Sequence, residues 1–183
     1  EQKIVSAEVL VRWQKDENTI WAPYLFLSIL EETGEIEKLD YYVYEKAFQW
    51  IARRKQENKP ILPLSLNVSP VHFKEIDQFI KKAMGLIDKY HVDSKYIIFE
   101  ITENTYIHNV EAVNRMIQTF HQREIRISMD DFGSGYSSLN TLKEIMFDEV
   151  KIDKKFLDNE PSEKGKIVLE EIFHLLKRTK KFI

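Results

Sequence analysis

The sequence is set apart first by the residues that it lacks or uses sparingly. None of its 183 residues is cysteine, which excludes disulfides, thiolate metal ligands and cysteine nucleophiles and suits a reducing cytoplasm. Only five glycines and five prolines are present, so no linker or low-complexity segment divides the chain. No apolar run approaches the roughly 20 residues of a membrane-spanning helix. Lys and Arg form no long run, and the net charge of −3 argues against a protein that coats nucleic-acid polymers.

Hydrophobic periodicity predicts an α/β fold. Hydrophobic residues make up 43% and charged residues 31% of the chain, as in a globular protein, and its length predicts a single domain over residues 1–183. Apolar, β-branched runs predict strands at 3–13, 61–68, 96–101, 125–129 and 147–152. Amphipathic segments predict helices at 23–33, 36–56, 73–90, 110–122, 139–144 and 163–180, with a further strand starting at 182–183. Alternation of strands and helices predicts βαβ units and a mostly parallel sheet.

The helix predicted at 36–56 is unusually rich in aromatic residues. Their recurrence at helical spacing favours core packing over a platform on which nucleic-acid bases stack. The residues concerned are Tyr41, Tyr42, Tyr44, Phe48 and Trp50.

The stretch around which the chain is organised is Asp130–Leu139. Two adjacent carboxylates, Asp130 and Asp131, follow a predicted strand, and two glycines then shape a tight loop. Taken alone, this stretch is equally well explained as a turn with solvated acids or as a site for a divalent cation and a phosphate. Other predicted strands also deliver polar residues to their ends. These residues are Asn67, Glu100, Glu103, Lys151 and Asp153, with Glu8 and Arg12 inside the first strand.

The chemistry of these side chains indicates a metal-dependent reaction at phosphate. Ligands gather at the carboxyl ends of parallel strands, so the polar groups should face a common cleft. Carboxylate and amide oxygens suit Mg²⁺ or Mn²⁺ better than zinc. Without a cation, clustered carboxylates would repel one another and an anionic substrate. Divalent cations reverse both effects and could activate a water, which makes phosphodiester hydrolysis the most natural reaction.

Five short motifs, in order and at similar spacing, resemble the EAL domain, the family of bacterial cyclic di-GMP phosphodiesterases. They are Glu8-Val9-Leu10 with Arg12-Trp13, Asn67-Val68-Ser69, Glu100-Ile101-Thr102-Glu103, Asp130 through Leu139, and Val150-Lys151-Ile152-Asp153. The resemblance implies a TIM-like (β/α)₈ barrel with one antiparallel strand. It also implies Mg²⁺- or Mn²⁺-dependent opening of cyclic di-GMP to linear pGpG.

The resemblance further implies a role for each matching residue. Its metal ligands are Glu8, Asn67, Glu100, Asp130 and Asp131, with Asp130 bridging two ions. Of the two residues assigned to catalysis, Lys151 faces the nucleophilic water and Glu103 supports the loop after Asp131. Arg12 and Leu10 are assigned to substrate binding, and Asp153 is expected to lie behind the metal ligands.

The chain also departs from the family pattern. Val9 stands in the signature triplet where the family has alanine, and Ser134 where it often has threonine. With five complete strands predicted, against the eight of a barrel, we expect an incomplete barrel, truncated at both ends. The glutamate that the family uses as general base is expected beyond Ile183.

Parts of the sequence also fit three alternatives to an active phosphodiesterase. A catalytically inactive EAL-like domain would bind cyclic di-GMP as a sensor or contact another protein. A protein kinase is suggested only by Asp131-Phe132-Gly133, without the glycine-rich loop or catalytic loop of kinases. A barrel glycosidase would use two carboxylates and no metal.

The expected partners follow from the same resemblance. They are cyclic di-GMP, a second copy of the chain through the loop after Asp131, and further signalling domains in a longer protein. Such a protein would be cytoplasmic, or tethered to a membrane through other segments.

Overall fold

The structure is a computed structural model that describes residues 4–133, 146–154 and 163–178. The chain divides into two compact units, Glu1–Ile98 and Phe99–Ile183. The helix predicted at 139–144 and the strand predicted at 182–183 lie outside the described residues. That residues 1–183 form one domain stays a prediction.

The strands of the first unit are short. β1 (Ala7–Glu8) is followed by a hairpin of β2 (Trp13–Gln14) and β3 (Ile20–Trp21), and then by β4 (Leu64–Asn67). β1 and β4 are parallel, with Glu8 opposite Ser65. The single long strand predicted over 3–13 is wrong: backbone hydrogen bonds to the β4 segment start at Ala7 N–H and end at Val9 N–H, and Trp13 belongs to the separate hairpin strand β2.

Three α-helices complete the first unit. A 3₁₀ turn at Pro23–Leu25 precedes α1 (Leu27–Thr33), which ends at Gly34 in the left-handed conformation, φ 74°. α2 spans Ile36–Gln56, as predicted. The helix predicted at 73–90 is a 3₁₀ turn, Pro70–Glu75, followed by α3 (Ile76–Lys89). Pro70 stops β4 and begins the 3₁₀ turn, because proline lacks the amide hydrogen of a strand but fits the first position of a helix.

The core of the first unit lies along one face of α2. The buried residues of α2 recur three or four positions apart, which defines a single stripe. They are Ile36, Asp40, Tyr44, Ala47, Phe48 and Ile51. Core packing is therefore confirmed for Tyr44 and Phe48 and wrong for Tyr42, which is 57% exposed because it projects from the opposite face. The facing helix α3 buries Phe79, Ile80 and Ala83 at the same spacing.

The second unit continues the alternation of strands and helices. Its strands, which follow one another in the sheet, are β5 (Ile97–Thr102), β6 (Arg126–Phe132) and β7 (Glu149–Ile152). The helices are α4 (Glu103–His108), α5 (Val110–His121) and α6 (Glu163–Arg178). β6 and β7 are parallel, as the βαβ pattern predicts.

The core of the second unit lies between β5 and α5. β5 is buried from Ile97 through Ile101, which confirms that its continuous apolar run belongs to an interior strand. The rings of Phe99 and Phe120 stack with centroids 4.9 Å apart. Ile127 and Met129 of β6 are also fully buried. An α/β architecture is thus present in both units.

We expect Phe48→Ala to destabilise the protein far more than Tyr42→Ala, although both aromatics lie on α2. Phe48 is fully buried, and truncation of a buried Phe costs about 3–5 kcal/mol through lost burial and the cavity left behind. The exposed Tyr42 should cost within about 0.5 kcal/mol. Urea unfolding of both variants measures the difference. Equal losses would contradict the placement of the core stripe.

Candidate active site

In the first unit, parallel pairing brings two candidate metal ligands together. Glu8 ends β1 and Asn67 ends β4, and the Asn67 amide Nδ2 donates to Glu8 Oε1 over 3.1 Å. Both side chains are exposed. The amide NH₂ is thereby turned toward the carboxylate, which leaves the Asn67 Oδ1 atom as an oxygen donor on the same group.

In the second unit, a buried carboxylate meets a lysine. Glu100, on β5, is 1% exposed, and its Oε1 lies 2.5 Å from Lys151 Nζ on β7. A carboxylate withdrawn from water requires a compensating positive charge, because burial of an isolated ion costs several kcal/mol. Lys151 supplies such a charge while its side chain remains 36% exposed.

The carboxylate pair Asp130–Asp131 sits on an irregularity of β6. The register with β7 shifts between Met129 and Phe132, and Asp131 adopts the left-handed conformation, φ 54°. A bulge re-aims side chains, and aspartate tolerates this conformation better than most residues. On a regular strand, two consecutive acids would point to opposite faces, and the bulge changes this alternation. Asp130 is half-buried and Asp131 is exposed.

Glu103 holds the backbone directly after that pair. Its Oε2 accepts from Gly133 N–H over 2.8 Å, and the side chain is 1% exposed. Glu103 is the first residue of α4, and the start of this helix fixes its backbone. Thr102 caps the helix by accepting from Thr105 N–H. Gly133 has φ 88°, a conformation that glycine adopts without strain. The contact predicted between Glu103 and the loop after Asp131 is present, while the catalytic role assigned to Glu103 stays a prediction.

One ion pair joins β7 to β6, and contacts of Asp148 with α5 and β6 hold the residue that precedes β7. Arg126 Nη1 lies 2.6 Å from Glu149 Oε1, and burial raises the pKa of Glu149 despite this pairing. Asp148 Oδ2 contacts His121 Nε2 at 2.9 Å and accepts from Ile127 N–H over 2.8 Å. These contacts fix the strand that carries Lys151.

The remaining predicted site residues are Arg12, Leu10 and Asp153. Arg12 donates to the Val11 carbonyl over 2.8 Å, and Leu10 is 54% exposed, so both side chains are open to a ligand. The Asp153 N–H donates to the Phe132 carbonyl over 3.1 Å and extends the pairing of the two strands. The structure tests none of the substrate or metal roles of these residues.

A buried polar network lies behind Asn67 and was not predicted from the sequence. Asp40 and His72 are 9% and 3% exposed, and Asp40 Oδ2 lies 2.9 Å from His72 Nε2. Tyr44 donates its hydroxyl to the Asn67 carbonyl over 2.7 Å. The available signal was a charged residue, Asp40, on the apolar stripe of α2, where an unpaired charge would be costly.

The donor set fits hard divalent cations. The candidate ligands are carboxylates and one amide, with no sulfur. Glu8 and Asn67 are joined by a hydrogen bond at strand ends, and Glu100 is paired with Lys151. Among the residues that the structure describes, no three Asp, Glu, His or Cys side chains form a ready metal cluster. The shared ligand set therefore remains a prediction.

Each unit has parallel strands with polar side chains at or near their carboxyl ends. This arrangement is typical of α/β proteins that bind ligands at the ends of their strands. The chain matches the EAL domain family over residues 1–181 and belongs to that family. It is similar to the cyclic di-GMP phosphodiesterase PdeF of Escherichia coli, with 30% identity over 152 residues, which cover 83% of this chain and 20% of that protein.

Two solved structures share the fold. One, described as the PaMucR phosphodiesterase in complex with c-di-GMP, has a TM-score of 0.87 and 23% identity over 98% of this chain and 72% of its own. The other, the FimX EAL domain of Pseudomonas aeruginosa bound to c-di-GMP, has a TM-score of 0.84 and 18% identity over 95% and 69%. They show that the fold is that of EAL domains, so the predicted TIM-like fold class is confirmed. The chain spans only 20–22% of the length of three matched relatives.

We expect Glu103→Ala to release the loop after Asp131. Removal of the acceptor leaves the partly buried Gly133 N–H without its bond, so its amide exchange should accelerate about tenfold. Glu111→Ala, an exposed acid in the first turn of α5, serves as control. Hydrogen exchange followed by NMR measures both. Unchanged exchange at Gly133 in the Glu103 variant would contradict the contact.

Proposed function

We propose that this chain is part of a divalent-metal-dependent phosphodiesterase that hydrolyses cyclic di-GMP to linear pGpG. Membership of the EAL family and the similarity to PdeF support the substrate class. The observation that carries the proposal is the pairing of buried Glu100 with Lys151, because a sequestered charged pair at strand ends is characteristic of a reaction site.

We assign the metal ions to Glu8, Asn67, Glu100, Asp130 and Asp131. When bound, Mg²⁺ or Mn²⁺ would lower the pKa of a coordinated water and offset charge that develops on the phosphoryl oxygens. The contacts that support this assignment are the Asn67–Glu8 hydrogen bond and the bulge that displays Asp130 and Asp131.

The chain's own residues would bind and orient the reacting groups. Lys151, as an ammonium ion, can donate to the attacking water or to a non-bridging phosphate oxygen. Arg12 can bind a phosphate oxygen through its exposed guanidinium, and Leu10 can contact the guanine or ribose. The water oxygen loses a proton and forms a bond to phosphorus, the bond from phosphorus to the ribose 3′ oxygen breaks, and that oxygen takes up a proton.

The wider setting is proposed on the same basis. Relatives include a bifunctional diguanylate cyclase/cyclic di-GMP phosphodiesterase, MucR, and an oxygen sensor protein, DosP, both much longer than this chain. We propose that further signalling domains accompany it in a cytoplasmic protein and that the loop after Asp131 forms a homodimer contact. No helix in the part of the chain that the structure describes is both apolar and long enough to traverse a bilayer.

We expect Glu8→Gln to lower cyclic di-GMP hydrolysis at least 100-fold, because the variant keeps the size of the side chain but loses a charged metal ligand. Glu17→Gln, an exposed acid in the neighbouring hairpin turn, should match the parent protein. Chromatography of pGpG release measures both. Undiminished turnover in the Glu8 variant would defeat the ligand assignment, whereas binding of cyclic di-GMP without turnover in the parent protein would favour the inactive sensor.

We expect metal removal to abolish turnover and metal addition to stabilise the fold. Excess EDTA should stop hydrolysis, and Mn²⁺ or Mg²⁺ should restore it. Mn²⁺ at about 100 times its Kd should stabilise the protein by about 2.7 kcal/mol and raise the Tm. Thermal unfolding with and without Mn²⁺ measures this effect. Full hydrolysis in excess chelator would contradict metal dependence.

A further inference from the structure

The segment from Asn67 to His72, which follows β4, is held from behind by one face of α2. Asp40 Oδ2 accepts from Ser69 N–H over 3.2 Å and also contacts His72 Nε2 at 2.9 Å. Tyr44 lies one turn further along the same face of α2 and donates to the Asn67 carbonyl over 2.7 Å. Three contacts therefore reach this segment from two side chains of one helix.

The side chains that make these contacts, Asp40, Tyr44 and His72, are buried. Tyr44 is 1% exposed, and its hydroxyl donates to the Asn67 carbonyl. His72 is 3% exposed, and its ring packs against Phe79 with centroids 4.5 Å apart. Polar groups at such depth are retained only when their partners are in place, because an unmade buried hydrogen bond costs more than a made one gains.

The network ends on the candidate ligand Asn67. The backbone of Asn67 is bonded to Tyr44, and its side-chain amide donates to Glu8 Oε1 over 3.1 Å. Since the side chain of Asn67 extends from a backbone whose carbonyl is fixed, a shift of that carbonyl would also shift the amide. Glu8, the carboxylate at the end of β1, would then also shift, because it accepts the hydrogen bond from the Asn67 amide.

We propose that Tyr44 and Asp40 are positioning residues that orient Asn67 for metal binding. This inference rests on the proposed metal-dependent function and assigns to α2 a role beyond packing. Both residues are assigned this role through their contacts with Asn67, Ser69 and His72. Outer contacts of this kind fix the direction of a metal ligand, and their loss typically costs 10–100-fold in metal affinity or activity.

A pair of tyrosine variants tests the proposal with a matched control. Tyr44→Phe removes the hydroxyl and keeps the ring in the core. Tyr90→Phe removes a hydroxyl of the same unit that donates to Glu45 Oε1 over 2.6 Å, away from the end of β4. Two properties of the full chain are measured, the ¹⁵N NMR signal of the Asn67 side-chain amide and the affinity for Mn²⁺.

We expect Tyr44→Phe to shift or broaden the Asn67 amide signal and to weaken Mn²⁺ binding about tenfold, while Tyr90→Phe changes neither. Asp40→Asn should accelerate amide exchange at Ser69 and weaken Mn²⁺ binding in the same direction. An unchanged Asn67 signal in Tyr44→Phe, or equal effects of the two tyrosine variants, would overturn the positioning role. If the parent protein binds no Mn²⁺, the proposed function fails, and the Asn67 signal still decides whether Tyr44 orients this side chain.

Discussion

The interaction on which the second unit's candidate site depends is the ion pair between Glu100 and Lys151. Glu100 is 1% exposed, and a carboxylate at that depth is tolerated only beside a positive charge or with several hydrogen bonds. The pair links β5 to β7, so the position of β7 determines whether the charge of Glu100 is compensated. A protein built only for stability would gain little from it, because an apolar pair of the same volume is often as stable. Its presence therefore fits a site of reaction.

Much of the fold was predictable because periodicity reports burial directly. The bounds of α2 were predicted as observed, and β5 was recognised from its continuous apolar run. α4 was missed because Glu103–His108 has no apolar repeat; a single cap at Thr102 begins it. β1 was predicted too long because β propensity cannot show how many residues find a pairing partner. These errors fall where tertiary contacts, and not local pattern, decide the structure.

The candidate site was predictable in its chemistry and less so in its geometry. Polar residues at strand ends identified the donors, since strand ends of parallel sheets share an edge. The bulge that separates Asp130 from Asp131 follows from a register shift with β7, which depends on a distant segment of the chain. The contacts of Asp40 and Tyr44 with residues 67–72 join positions more than 20 residues apart, and spacing along the sequence does not reveal them.

The central claim is that acids and one amide from separate strand ends bind the same divalent cations. Anomalous diffraction from crystals of the protein grown with Mn²⁺ tests this claim most directly. We predict anomalous density in coordination contact with Glu8, Asn67, Glu100 and Asp130, with Asp131 on a second ion. Density confined to other surface carboxylates, or none at Mn²⁺ concentrations that support hydrolysis, would contradict the account.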